Sequence, residues 1–202
     1  MNPKFLRLFF IFTTSLFFSS LIFANTKTDA QINQTTTFQG IKLPYKLNLE
    51  NKKLTLNGMG MREKFFIDLY VSSLYLERSE TNASRILKSK RSSAIQLNIV
   101  SGFITNEKMK SAIMNGFKQA TNDKIGPIQV QIDEFMTLFD SIKKGDQFTL
   151  LSKPNKGITA YKNGVKQTSI KGDKFRNALF KIWLGDNPIQ SDLKESMLKG
   201  TP

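Results

Sequence analysis

The chain has 202 residues, with 30 Lys+Arg against 16 Asp+Glu for a formal charge of +14, and it contains neither Cys nor His. Without a thiolate or an imidazole there is no disulfide, thiol nucleophile, Ser-His-Asp triad, haem-His ligation or ordinary zinc site. No cofactor is expected, and acid–base work would fall to carboxylates, Lys, Tyr and Arg.

Lys4 and Arg7 precede an apolar run at 8–23, rich in Phe, Leu and Ile, that ends at Ala24-Asn25. The run is diluted by Thr13, Thr14, Ser15, Ser19 and Ser20, which suits a secretory signal peptide better than a membrane anchor. Cleavage after Ala24 is expected, with a periplasmic or secreted product. The mature chain would hold 202 − 24 = 178 residues, and loss of Lys4 and Arg7 would leave a charge of +12. That size suits one domain, and the charge draws it to anionic surfaces, so peripheral contact with an anionic membrane is an expectation.

Residues 25–39 are polar and rich in Thr and Gln, and read as a flexible leader before a domain at 40–202. KLNLE and KKLTLNG alternate apolar and polar residues as half-buried strands do, with Glu50-Asn51 as the turn between them. Residues 64–77 are dense in aromatic and β-branched side chains and read as the centre of a sheet. Thr81-Asn82 can cap a short helix, ASRILKSK, before a strand AIQLNIV. Thr105 or Asn106 caps a longer helix through Met109, Ile113, Met114 and Phe117; Gly126-Pro127 separates it from another at 128–142.

QFTLLS, GITAYK and VKQTSI then form strands joined by Pro-Asn-Lys-Gly and Asn163-Gly164 turns, the second being the strongest local hairpin signal in the chain. DKFRNALFKIWLG is an amphipathic helix closed by Gly185, and Ser191 starts a last short one. Strands and helices do not alternate as in βαβ units, so the fold class is α+β, a large antiparallel sheet with helices on one face.

Arg62 stands out: it follows Gly-Met-Gly and is surrounded in sequence by Phe65, Phe66, Ile67, Leu69 and Val71, a setting that a solvated cation does not need. An Arg on a strand edge can reach water or pair with Glu63 or Asp68; a buried guanidinium fork suits a carboxylate held bidentately. Gly58 and Gly60 are followed by strand rather than helix, so they do not form a dinucleotide-binding loop. The basic run KSKR at 88–91 is short and lacks interleaved aromatics, and no nucleic-acid partner is expected.

G-M-G-M-R, the strand L-Y-V-S-S-L-Y-L-E, the PNKG and NG hairpins and the closing F-x-x-A-L-F-K-I-W-L-G-D-N-P together resemble the chalcone isomerase-like family in its bacterial exported branch, over residues 40–200. The resemblance implies an open-faced β-sandwich with an elongated pocket between sheet and helices. It implies that Arg62 lies in that pocket and that Tyr70 fills the place taken by Thr in the isomerases and by Tyr in the fatty-acid-binding relatives, where an Arg–Tyr pair holds a carboxylate.

The catalytic Tyr of the isomerases has no counterpart in TNEKMKSAIMNGF, and either Lys108 or Lys110 could stand at the place of their Lys. The expectation is therefore non-catalytic binding of a fatty acid or similar anionic amphiphile through Arg62 and Tyr70. The alternative is an intramolecular lyase acting on a phenolic or other ketone, and a third reading is an interaction domain with a filled core. Tyr75, on the opposite strand face from Tyr70, and Trp183 read as structural. Met109, Met114, Phe117, Met136 and Phe139 form a soft stripe suited to core or to the wall of an apolar pocket.

Overall fold

A computed structural model describes residues 34–200. The expected signal peptide and most of the leader lie outside the described residues. Thr35–Phe38 (β1) pairs with Ile41–Pro44 (β2), so the leader expected to run to residue 39 instead enters the fold at Thr35.

Seven strands follow in one sheet whose spatial order is their chain order, every neighbouring pair antiparallel: Lys46–Leu49 (β3), Lys52–Lys64 (β4), Ile67–Leu76 (β5), Ser93–Ile99 (β6), Gln147–Lys153 (β7), Gly157–Lys162 (β8) and Val165–Lys171 (β9). Tight turns join β3 to β4 at Glu50-Asn51 and β8 to β9 at Asn163-Gly164, all four residues at positive φ, as hairpins of this type require. Three α-helices lie between strands or after them: Ala83–Lys88 (α1) between β5 and β6, Asn106–Thr121 (α2) and Gln129–Met136 (α3) between β6 and β7. Asp173–Leu184 (α4) and Ser191–Met197 (α5) close the chain. The helix expected over 128–142 stops at Met136 and continues as a 3₁₀ turn to Phe139.

The helices cover one face. There Leu74, Ile95, Leu97, Phe148 and Leu150 of the sheet meet Phe117, Phe135, Phe175 and Trp183 in the main core. Phe117 stacks on Phe175 at 5.7 Å and meets Phe135 edge-on at 6.2 Å, which fixes α2 and α3 against α4. The other face forms a second, smaller core of Leu54, Leu56, Tyr75, Ala94 and Leu151. The sheet curls around it until the β3–β4 turn reaches its far end. Glu50 accepts a hydrogen bond from Tyr161 of β8 at 3.2 Å and pairs with Lys153 of β7 and with Lys166 of β9, the latter at 3.3 Å. This clasp lowers the Glu50 pKa to about 2, chiefly through the Lys153 hydrogen bond, against the opposing effect of burial.

Two irregularities shape β4 and β5. Leu56 faces Tyr75 and Gly58 faces Leu74, leaving Asn57 as an extra residue in β4. Its amide donates to the carbonyls of Glu80 and Met197 at 3.0 and 3.1 Å and accepts from Ser79 Oγ and Glu80 N–H, both at 3.1 Å. The bulge thereby ties β4 to the end of α5.

Candidate functional site

The second irregularity builds the site. Glu63 faces Asp68 and Arg62 faces Tyr70, so Leu69 is the extra residue, and its carbonyl accepts from the N–H groups of Val100 and Ser101 at 3.0 and 3.2 Å. Without this bulge Arg62 would stand opposite Leu69. With it, Arg62 and Tyr70 become direct cross-strand partners on the helix-covered face, where side chains of opposed residues lie closest.

Tyr70 is 4% exposed, and its hydroxyl accepts a hydrogen bond from the indole Nε1 of Trp183 at 3.2 Å. Burial pushes the Tyr70 pKa above its ordinary value, opposed by the Trp183 N–H and by the charge and hydrogen bonding of Arg62. The phenol is thus neutral at physiological pH and sits within the influence of the guanidinium.

Arg62 is half-buried and makes no ion pair with Glu63 or Asp68. Its Nη1 donates to the Glu63 backbone carbonyl and to Gln190 Oε1, the latter at 2.9 Å. Gln190 is held in turn: its Oε1 accepts from the Glu63 N–H at 3.0 Å and its Nε2 donates to the Met61 carbonyl at 3.3 Å. A neutral amide therefore orients the cation without neutralising it, and the charge stays available to an anion.

The glycines before Arg62 explain how Gln190 gets there. A Cβ on Gly58 would lie 2.4 Å from the Ser196 carbonyl oxygen, and one on Gly60 would lie 2.9 Å from Ser196 Cβ and 3.0 Å from Leu193 Cδ1. Only bare backbone lets α5 settle on β4, and Gln190 immediately precedes α5. The Gly-Met-Gly signature is thus a packing surface for the last helix and, through it, a support for the arginine.

Arg62 and Tyr70 border a cavity of about 530 Å³ between β4–β5 and α2. Its walls are mainly apolar, with Leu69, Ile104, Met109, Ala112, Ile113 and Ile189 prominent, and Lys64, Glu107 and Lys108 stand among the polar groups. Two hollows of about 660 and 610 Å³ lie elsewhere, but charged and polar side chains such as Glu77, Arg78, Arg85 and Arg91 line the first and Lys88, Asp173 and Arg176 the second. This hollow of about 530 Å³ has the form of a site for an amphiphile: greasy walls with an oriented guanidinium at one edge.

Arg62 and Tyr70, both singled out in the sequence, come together. Of the two candidate lysines, Lys108 lines the cavity and donates to the Phe103 carbonyl at 3.2 Å, whereas Lys110 pairs with Asp140 away from it. Met109 is both core and cavity wall, while Phe117 and Phe139 belong to the core alone. The central strand expected over 64–77 is corrected: Phe65 and Phe66 form the turn between β4 and β5, and they project outward instead of crowding Arg62. Sequence reasoning missed Gln190, which carried no motif, and gave Trp183 no contact with the site although its indole N–H needed an acceptor once buried.

The chain matches the chalcone isomerase-like family over residues 35–199. Among solved structures it is similar to a crystal structure of an Arabidopsis thaliana fatty-acid binding protein, with a TM-score of 0.65 and 16% sequence identity, covering 82% of this chain and 96% of that one. At that identity the likeness concerns the fold. No curated protein sequence matches.

Proposed function

Because the chain belongs to the chalcone isomerase-like family, with the antiparallel sheet and helical cover of that fold, we propose that it is a non-catalytic carrier of a fatty acid or similar anionic amphiphile. The carboxylate meets Arg62 and the Tyr70 hydroxyl, and the chain lies along the apolar wall toward Met109 and Ile113. The observation that carries this reading is the Arg62 guanidinium, held beside Tyr70 by a neutral amide and not by a carboxylate, at the edge of a mostly apolar cavity. The plant structure of similar fold, itself a fatty-acid binding protein, supports a lipid ligand.

The magnitudes suffice. Burying some fourteen methylenes at about 0.8 kcal/mol each gives an upper bound of roughly 11 kcal/mol. Association and ordering subtract several kcal/mol, so affinity in the micromolar range is expected. Tyr70 shares its hydroxyl with Trp183, and no second phenol lines the cavity among the described residues, so the reading is binding without turnover of a chalcone-like ketone. The N-terminal sequence supports an exported protein, cleaved after Ala24 and acting in the periplasm or medium.

Native mass spectrometry of the protein purified from its host tests the proposal. Copurifying species should match the masses of fatty acids, and added fatty acid should bind more tightly than the alcohol of equal length. Equal affinity for acid and alcohol would remove Arg62 as the anchor, and catalysed cyclisation of a chalcone that is lost in Arg62→Ala would replace the proposal with the lyase reading.

A further inference from the structure

The β4–β5 hairpin turns on two phenylalanines. Lys64 pairs with Ile67, so Phe65 and Phe66 alone make the turn, with φ of 51° and 62°. Such a turn favours Asn and Gly, because positive φ crowds a side chain against its own backbone. Other tight turns in the chain obey that chemistry: Glu50-Asn51, Gln39-Gly40 and Asn163-Gly164 occupy the same region with polar residues or glycine. Phe65-Phe66 departs from it.

Neither ring is buried in return for this strain. Phe65 is 82% exposed and Phe66 104%, and Phe103, on the loop after β6, is 67% exposed. Phe65 and Phe103 both line the cavity rim, so two exposed rings from separate loops border its mouth, and Phe66 adjoins Phe65 at the turn. Charge is sorted across the same hairpin. Arg62 and Lys64 lie on the cavity side, with Lys64 Nζ 5.4 Å from the Phe65 ring centre, while Glu63 and Asp68 face each other on the opposite side. Glu107 and Lys108 add one charge of each sign to the rim.

Projecting aromatic rings beside cations, on a molecule of formal charge +14, fit a soft anionic interface better than a shaped protein groove. Among the described residues no helix is long and apolar enough to cross a membrane.

We propose that the Phe65-Phe66 tip, with Phe103, docks this protein on an anionic lipid bilayer and turns the cavity mouth toward it. Docking stands on the tip itself; the further step, in which an amphiphile passes between bilayer and cavity without crossing water, rests on the carrier reading above.

The test is cosedimentation of the mature protein with vesicles of phosphatidylethanolamine and phosphatidylglycerol, compared with vesicles of phosphatidylcholine alone. Wild type should partition onto the anionic vesicles. Phe66→Gly, which does not touch the cavity wall and supplies the residue the turn prefers, should partition about tenfold less while keeping or raising the thermal midpoint. Phe66→Leu should stay within about threefold of wild type, since an apolar side chain remains. Dissolved fatty acid, titrated without vesicles, should bind Phe66→Gly as it binds wild type.

Undiminished partitioning of Phe66→Gly, or no partitioning of wild type, overturns the docking site. Concentration-dependent dimerisation that Phe66→Gly abolishes would also overturn it, assigning the tip to a second copy. Vesicle binding that depends on Phe66 in a protein that binds no fatty acid would uphold docking and sink only the carrier reading.

Discussion

Trp183, on the last long helix, donates its indole N–H to the hydroxyl of Tyr70, 3.2 Å away across the sheet–helix interface and 113 positions apart in the chain. The bond joins the helical layer to the strand that carries half of the candidate anchor. Trp183→Phe should lower stability by about 1–3 kcal/mol in urea denaturation, since it leaves a buried phenol without its donor. The double variant Tyr70→Phe/Trp183→Phe should lose less than the sum of the single variants, because neither partner is then orphaned. Strict additivity would mean that the two groups are not coupled.

Arg62→Ala should weaken fatty-acid binding by roughly 2–4 kcal/mol while affecting the matching alcohol little, because only the acid loses a counter-charge. Arg62→Lys should recover part of the loss, a point charge being a poor substitute for a fork. Gln190→Leu leaves the cation in place but removes its tether, and should weaken acid binding less, by about 1 kcal/mol. Calorimetric titration of these variants decides between an anchoring arginine and one that serves the fold alone.

In the proposed complex, pairing with Arg62 lowers the pKa of the bound carboxylate below its value in water. Affinity is then fully present above the free ligand's pKa and is lost as pH falls through the bound one. Binding measured across pH should be flat near neutrality and decline below about pH 5. A decline above pH 7 would point to a different titrating group.

Gly58→Ala should destabilise the fold by about 2–4 kcal/mol, since the new methyl meets backbone of α5 that has nowhere to retreat. Gly60→Ala makes a milder overlap, 2.9 Å from Ser196 Cβ and 3.0 Å from the mobile Leu193 Cδ1, and should lose about half as much. Thermal unfolding of the two variants checks the order; the reverse order would show that α5 is not seated by Gly58.

Glu50 has its folded pKa lowered from 4.5 to about 2, principally by the Lys153 hydrogen bond. Its contribution is therefore present above pH 4.5 and is lost as pH falls from there toward 2. Glu50→Gln should reduce stability at neutral pH by about 1–2 kcal/mol after solvent screening, and that difference should vanish at the acid end of the range. A deficit that persists unchanged at pH 2 would assign the effect to packing.

Much of this architecture is visible in the sequence because the devices involved are local. Alternation marks β3, the start of β4 and β7 to β9, Asn163-Gly164 marks its hairpin, and Thr105 caps α2 with its side chain accepting from Lys108 N–H. Tyr75 falls on the face opposite Tyr70 as its five-residue offset requires. The pairing of Arg62 with Tyr70 was legible only through family resemblance, since the bulge at Leu69 that opposes them leaves no compositional trace. The hairpin tip was misread for a physical reason: Phe-Phe belongs to the vocabulary of buried strands, and nothing local says that it turns. β1 was hidden by four residues, Thr-Thr-Thr-Phe, too few to establish a period. Gln190 is placed by the docking of α5 on bare glycine backbone, a long-range event that no window of neighbouring residues reports.

That last contact also says when in folding the site comes into being. Strands β3 to β9 pair only with their neighbours in chain order, so the sheet can zip by short loops and two excursions through helices, a short one through α1 and a longer one through α2 and α3. The bonds that finish the anchor are of another kind: Arg62 reaches Gln190 across 128 positions, and Asn57 reaches Met197 across 140. Closing such spans loses chain entropy before any contact repays it, so they belong after the transition state. Gly58→Ala should accordingly quicken unfolding and leave the refolding rate nearly unchanged, whereas slowed refolding would place α5 in the nucleus. On this ordering a nascent chain has a sheet before it has the Arg62–Gln190 contact, and the proposed carboxylate anchor is assembled last and released first.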